Sequence, residues 1–269
     1  MSPTQLIGQW LKARLPADAG AWLETTANAL RTASDRDFYI AISLVSRKIG
    51  KSDLAPTTVE FAQATAARPG WNPRDWSLDQ AARVYLLLAP GSNGEAFSRR
   101  LDQLCITADI GELVAFYSGL PLYPDQPRHA LRAAEGVRTN MKAVFQAVAH
   151  RNPYPAEQLP EAPWNQMVLK ALFIGISLDP IVDLDRRSNP ELARMLRDYA
   201  HERWSAGLSV PSFGVAWGRM RPAPCLPTSG GCWRRGPVPS APPQHWPWRA
   251  RPIPRQPGYY GHTRISRLP

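Results

Sequence analysis

The residues best suited to chemistry lie between positions 164 and 204, where an apolar helix, a charged turn and a second helix follow one another. Placed at about 100° per residue, Gln166, Lys170 and Ser177 form a narrow polar stripe on the first helix. A buried, unpaired ammonium group is costly. Lys170 therefore either extends to the surface or pairs with a nearby carboxylate and helps to form a polar site.

The second helix carries Asp198 and His201, and that spacing allows the carboxylate to orient the imidazole for acid–base chemistry or metal binding. Arg203 falls on the apolar face, where it either covers the edge of the core or pairs with a buried carboxylate. In the turn, Arg186 and Arg187 can clamp a phosphate or carboxylate. An ordinary charged connection between helices explains the same turn and is favoured.

Recognised catalytic motifs are missing from the sequence. The HERW segment at 201–204 lacks the second histidine of the HExxH zinc motif, and there is no nucleophile elbow or glycine-rich phosphate loop. His129, His150 and His201 can together supply three metal ligands, but their spacing does not favour such a site. We therefore predict no metal and no cofactor.

The net charge of +10 comes almost entirely from the last 59 residues. Residues 211–269 contain nine of the 32 basic residues and no acidic ones, which leaves 23 basic against 22 acidic residues in the rest of the chain. The strong overall basicity therefore says nothing about what the main body binds.

Residues 211–269 form a different kind of sequence, rich in Arg, Pro and Trp. This composition is typical of GC-rich DNA read out of frame, and we favour a frameshift or artefact over a biological basic tail that binds nucleic acid. Both interpretations predict disorder, because the segment cannot bury enough apolar surface to offset its chain entropy. The sequence thus predicts a domain at 1–210 followed by this tail.

Capping signals divide the body into about ten helices. Thr57 with Glu60 and Ser77 with Gln80 read as capping boxes, and Asn189 reads as the cap of the last helix. The fold prediction is all-α, with helices packed as antiparallel pairs in a solenoid-like array. No membrane span or signal peptide is apparent, which predicts a cytoplasmic protein.

Several longer motifs carry a family resemblance: NPYPAEQL, WNQMVLKALFIG, LDRRSNPELARML and DYAHERWSAG, with GLPLY and EGVRTN earlier in the chain. Together they resemble the EboA-domain family of bacterial proteins. The resemblance implies an all-helical cytosolic protein, encoded in gene clusters that are linked to making, moving or exporting a secondary metabolite or its precursors. It implies no catalytic residue, because the family has no established reaction.

The resemblance also carries over a set of polar family-signature positions. These are Asn140, Asn152, Asn165, Gln166, Lys170, Asp185, Arg186, Asn189, Asp198, His201, Glu202 and Arg203. All of them except Asn152 and Asn189 are candidate ligand-binding residues.

Three hypotheses about function follow. The favoured one is a non-catalytic helical adaptor or small-ligand-binding protein that serves a metabolite pathway with other proteins of its gene cluster. The second is an enzyme that uses Lys170, Arg186, Asp198 and His201. The third, nucleic-acid binding through the basic tail, is disfavoured by the composition of that tail.

Overall fold

The computed structural model describes residues 1–91 and 94–208, and these residues form twelve α-helices. Two short 3-10 helices, Leu120–Leu122 and Gln126–His129, lie between the seventh and eighth helices. The helices are α1 (Pro3–Arg14), α2 (Ala17–Ala29), α3 (Asp35–Ile49), α4 (Thr58–Ala67), α5 (Leu78–Leu88), α6 (Gly94–Thr107), α7 (Ile110–Ser118), α8 (Ala130–Arg138), α9 (Lys142–Ala149), α10 (Tyr154–Gln158), α11 (Glu161–Phe173) and α12 (Pro190–Ser205).

The predicted all-α class is confirmed for these residues, which contain no strand beyond two isolated β-bridges. Among them, no helix is both long enough and apolar enough to cross a bilayer. The predicted tail and the predicted domain boundary at 210 lie outside the described residues.

The capping signals place the helix starts correctly. Thr57 accepts a hydrogen bond from the backbone N–H of Glu60, and the Glu60 carboxylate accepts one from the N–H of Thr57. Asn189 accepts from the N–H of Leu192 at the start of α12. Each of these bonds satisfies a backbone donor that has no partner within its own helix. Local sequence is sufficient to specify these starts.

The central helix is shorter than predicted. The polar stripe predicted from the sequence requires a helix that continues to Ser177, but α11 ends at Phe173. The cause is Gly175, whose φ of +68° belongs to the left-handed region. The N–H of Gly175 bonds to the carbonyl of Leu172, and that of Ile176 to the carbonyl of Ala171, which together form a Schellman motif. Ser177 is therefore not part of a polar stripe on this helix.

The NPYP segment at 152–155 predicts a rigid break between helices. Asn152 and Pro153 are not helical, but α10 begins at Tyr154, inside the segment. Proline is compatible with the first turn of a helix, since the N–H it lacks has no partner there anyway.

The helices pack so that alternate elements are neighbours. Helices α3, α5, α7 and α9 lie in a row, and α2, α6 and α8 each pack on the next helix in the chain. Helix α1 also contacts α5, and α12 packs on α11. This arrangement of stacked helix pairs is the one expected for a solenoid-like array.

Helix α5 lies at the centre of the row and carries a buried ion pair. Arg83 is 1% exposed and donates to Asp79 at 2.6 Å and to the Ser46 hydroxyl of α3 at 2.7 Å. Glu112 of α7 lies 3.9 Å from the same guanidinium. Hydrogen bonds from Ser77, Arg83 and Ser46 hold the pKa of Asp79 below its ordinary value, although burial alone would raise it. This network joins α3, α5 and α7.

Candidate functional site

Lys170 is partly buried, and its ammonium group is bound by backbone carbonyls. Its Nζ donates to the carbonyl oxygens of Val137 at 2.6 Å and Thr139 at 2.7 Å, at the C-terminus of α8. The ammonium also lies 5.4 Å from the centre of the Phe145 ring. Burial lowers the pKa of Lys170. The side chain thus fixes α11 to the negative end of the α8 dipole, a role that neither sequence interpretation anticipated.

Asn165 and Asn189 form a reciprocal pair of amide hydrogen bonds, at 3.1 Å and 2.9 Å. Asn165 is buried, and Asn189 also caps α12. The pair therefore joins the middle of α11 to the beginning of α12. The reciprocal bonds hold the two helices together.

The two arginines of the turn do not form a joint anion clamp. Arg187 donates to the carbonyls of Ala156 at 2.6 Å and Leu159 at 2.8 Å, and its guanidinium lies 5.0 Å from the Trp164 ring centre. Burial, and secondly the charge of Arg186, lower the pKa of Arg187. Arg186 is exposed and pairs with Asp183 within the turn at 2.8 Å. One arginine thus holds the end of α10, and the other lies on the surface.

Several side chains of α12 contact residues of their own helix. The Asp198 carboxylate accepts hydrogen bonds from Arg194 at 3.0 Å and from Arg197 at 3.4 Å. The His201 ring lies edge-on to the Trp204 ring, with centres 5.6 Å apart. The Arg203 guanidinium lies 5.8 Å from the Tyr199 ring centre.

The remaining candidates, Asn140, Gln166, Asp185 and Glu202, are exposed. Three residues of the enzyme hypothesis have separate contacts. Lys170 binds the end of α8, Arg186 pairs within the turn, and Asp198 is bonded along α12.

The histidines do not form the metal site considered from the sequence. The buried His129 ring donates from Nε2 to the carbonyl of Pro124 at 2.9 Å and packs against Phe97 and Tyr123. The His150 ring donates to the carbonyl of Ser177 at 2.9 Å. Within residues 1–91 and 94–208, no group of three His, Cys, Asp or Glu side chains is placed to hold a metal ion.

A cleft of about 280 Å³ lies elsewhere, between the α4–α5 loop and helices α7 and α9. We call it the His150 cleft. It is lined by Trp71, Asn72, Asp75, Trp76, Gln80, Val114, Ser118, Ala143, Gln146, Ala147, His150, Arg151 and Asn152. Its lining combines apolar side chains with amide, hydroxyl and imidazole groups, a mixture also found in sites for small molecules.

Two tryptophans and a close backbone approach build the floor of the cleft. The Trp71 ring stacks on Trp10 with centres 5.5 Å apart, and Trp76 lies 5.9 Å away. Beside them Gly70 has a φ of +78°, and a Cβ there would lie 2.8 Å from Pro153. Only glycine lets the loop approach the start of α10 this closely. The indole N–H of Trp71 is buried and has no hydrogen-bond partner within the described part of the chain.

The far wall is fixed by Asn152 and by the chain around His150. The Asn152 amide donates to the carbonyls of Tyr117 and Ala147, both at 3.0 Å, and so joins α7 to α9. His150 forms a β-bridge with Ile181. Because a carbonyl only accepts, Nε2 of His150 carries the proton in its bond to Ser177, and Nδ1 of the neutral ring is an acceptor. Burial lowers the pKa of His150, which favours this neutral form.

Sequence reasoning missed this cleft, because its residues come from segments that are up to 81 positions apart, from Trp71 to Asn152. The signals in the sequence were the family-signature position Asn152 in the NPYP segment and an isolated histidine, His150. Neither signal indicates contact with a tryptophan so far away in the chain.

The described residues form an all-helical fold with a cleft of about 280 Å³. The chain belongs to the EboA family: the family model described as metabolite traffic protein EboA matches residues 3–216. The match ends six residues beyond the predicted domain boundary at 210. No curated protein and no solved structure gave a significant match to the chain.

Proposed function

We propose that this protein is a non-catalytic carrier or adaptor that binds a small metabolite in the His150 cleft. Its place of action is the bacterial cytoplasm, in a secondary-metabolite or prenylated-precursor pathway, together with other proteins of its gene cluster. The family description, metabolite traffic, supports a role in moving a molecule.

The observation that carries this proposal is the partly unpaired polar lining of the cleft. The amide oxygens of Asn72 and Gln80 accept hydrogen bonds from backbone N–H groups, which leaves the NH₂ groups of these two lining residues as donors. A ligand with oxygen acceptors can bond to such groups, which fix its orientation in a cleft of this kind. Lys170 and Arg187, in contrast, already bind backbone carbonyls. Their donors at these bonds are engaged within the protein.

Native mass spectrometry of the full chain, purified gently from the host that carries its gene, tests the proposal. We expect a bound small molecule whose mass equals that of the free compound in the cell extract, because a carrier does not alter its cargo. Incubation of the complex should leave that mass unchanged.

Two substitutions locate the molecule. Ala143 is exposed on α9 and lines the cleft, so Ala143→Trp fills the cleft without disturbing the core. Ala62 is equally exposed on α4 and does not line it, so Ala62→Trp is the matched control. We expect Ala143→Trp to lower occupancy at least tenfold and Ala62→Trp to leave it unchanged. Equal occupancy in both variants would place the molecule elsewhere and refute the proposal.

A further inference from the structure

We infer that the ligand of the His150 cleft is a neutral, hydroxyl-rich small molecule of the polyol or sugar class. This inference rests on the proposed function, and it adds the chemical class of the bound molecule.

The charges around the cleft argue for a neutral ligand. Among its lining residues Asp75 and Arg151 are the charged ones, and they form an ion pair with each other. Their charges compensate, so the cleft offers no net charge to attract an ion. An anionic ligand would have to compete with Asp75 for the guanidinium and would lie close to a carboxylate. His150 adds no charge, because its ring is neutral.

Two amides of the lining present donors in fixed directions. The oxygen of Gln80 accepts a hydrogen bond from the N–H of Ser77 at 3.2 Å, and the oxygen of Asn72 accepts one from the N–H of Arg74 at 3.1 Å. Because each amide oxygen is held by the backbone, each NH₂ group remains as a donor. Two amide donor groups are therefore available to oxygen atoms of a ligand.

The cleft also presents an acceptor, and this requirement separates hydroxyl groups from other oxygen-containing groups. Nδ1 of His150 has a lone pair that needs a donor. A hydroxyl group both donates and accepts, so a ligand with several hydroxyls can satisfy Nδ1 and the two amide donors at once. A phosphate dianion or a carboxylate has no proton to give to Nδ1. An apolar ligand would leave all three groups without a partner, and sites that hydrogen-bond their ligand reject such molecules strongly.

The size and the apolar walls fit the same class. A volume of about 280 Å³ corresponds to roughly nine water molecules at about 30 Å³ each. Val114, Ala143 and Ala147 provide an apolar wall for the C–H groups of a ring. A compact polyol that displaces these waters can replace their hydrogen bonds with its hydroxyls.

Isothermal titration calorimetry on the full chain tests the inference with matched probes. The neutral polyols are D-glucose, myo-inositol and sucrose, the charged probe is glucose 6-phosphate, and the hydroxyl-poor probe is cyclohexanol. We expect at least one neutral polyol to bind at least tenfold more tightly than both glucose 6-phosphate and cyclohexanol. Failure of all three polyols, or tighter binding of either comparison probe, overturns the inference.

Three variants connect binding to the cleft. Gln146 lines it from α9, and Gln146→Leu should weaken polyol binding about tenfold by removing an amide of similar volume. Gln166→Leu on α11 is the matched control and should have no effect. Asp75→Asn leaves the Arg151 guanidinium unpaired, so preference should shift towards glucose 6-phosphate. Loss of binding in the Gln166 variant, with no loss in the Gln146 variant, would place the site on α11 and refute the assignment.

The two proposals fail in different ways. If native mass spectrometry shows a molecule that Ala143→Trp removes, but that molecule is ionic or apolar, the cleft is a ligand site and only the chemical class is wrong. If Ala143→Trp changes neither the retained molecule nor the binding of the polyols, both proposals are wrong.

Discussion

At the scale of single residues, many long polar side chains of this protein stabilise the ends of helices. Lys170 binds carbonyls at the end of α8, and Arg187 binds carbonyls at the end of α10. A helix leaves its last carbonyls without intrahelical partners, and cations near that end also interact favourably with the helix dipole. The sequence pattern that suggested a catalytic site in 164–204 is therefore explained largely by helix packing.

Replacement of Lys170 separates these explanations. Lys170→Met removes two charge-assisted hydrogen bonds and should lower the free energy of unfolding by about 1–2 kcal/mol, as measured by urea denaturation. Lys48 is exposed on α3, and Lys48→Met should change stability by less than about 0.5 kcal/mol. Loss of metabolite retention in the Lys170 variant without loss of stability would instead support a site at α11.

Arg83 gives the largest expected effect of a single substitution. Arg83→Met leaves Asp79 buried and unpaired, and such a broken pair typically costs about 3–5 kcal/mol. The double variant Arg83→Met/Asp79→Leu should be less destabilised than Arg83→Met alone, because the buried carboxylate that has lost its cation is removed as well. Thermal or urea unfolding of the three proteins checks this order, and equal stability of the two variants would contradict it.

At the scale of elements, helix boundaries follow from short local signals, and glycine conformation is one of them. Gly175 ends α11 in the left-handed region, whereas Gly20 lies inside α2. A Cβ at either position meets no other atom within 4 Å. The two positions therefore differ in backbone conformation and not in the room available for a side chain.

This pair provides a matched test. Gly175→Ala should lower the free energy of unfolding by about 1 kcal/mol, because an L-residue is strained at positive φ. Gly20→Ala should raise it by about 0.5–1 kcal/mol, because alanine has the higher helix propensity. Urea denaturation measures both changes, and the same sign for both would show that α11 does not end at Gly175 as described.

At the scale of the whole molecule, packing between distant segments buries or half-buries two histidines and lowers their pKa values. Burial is the main cause that lowers the pKa of both His129 and His150. The unfolded chain then binds more protons than the folded protein once the pH falls below the ordinary histidine pKa of about 6.5. The two neutral histidines therefore make their full contribution to the free energy of unfolding when the pH is above the ordinary histidine pKa. This contribution is lost as the pH falls towards the pKa values of the folded state.

We therefore expect the free energy of unfolding to decrease as the pH is lowered from 7 to 5. His129→Gln can retain a hydrogen bond to the Pro124 carbonyl and removes one titrating group, so its pH dependence should be flatter. Urea denaturation at a series of pH values provides the measurement. Stability that rises on acidification over this range would contradict the assignment of neutral histidines in the folded protein.

The composition of residues 211–269 leads to a prediction about the gene. If the tail is a frameshift product, another reading frame after codon 210 should encode ordinary helical sequence with both acidic and basic residues. DNA sequencing of the coding region checks this directly. Tail-like composition in every frame would instead favour a biological basic tail.

The sequence alone determined what depends on near neighbours. The capping boxes at Thr57 and Ser77, the Asn189 cap and the helical periodicity each involve residues within a few positions, so the all-α fold was predictable. The family motifs were also readable directly. The partners of Lys170, the buried Arg83 network and the His150 cleft depend on packing between segments that are tens of residues apart. Sequence spacing carries no information about contacts between distant segments, and only the tertiary structure specifies which of these groups lie next to one another.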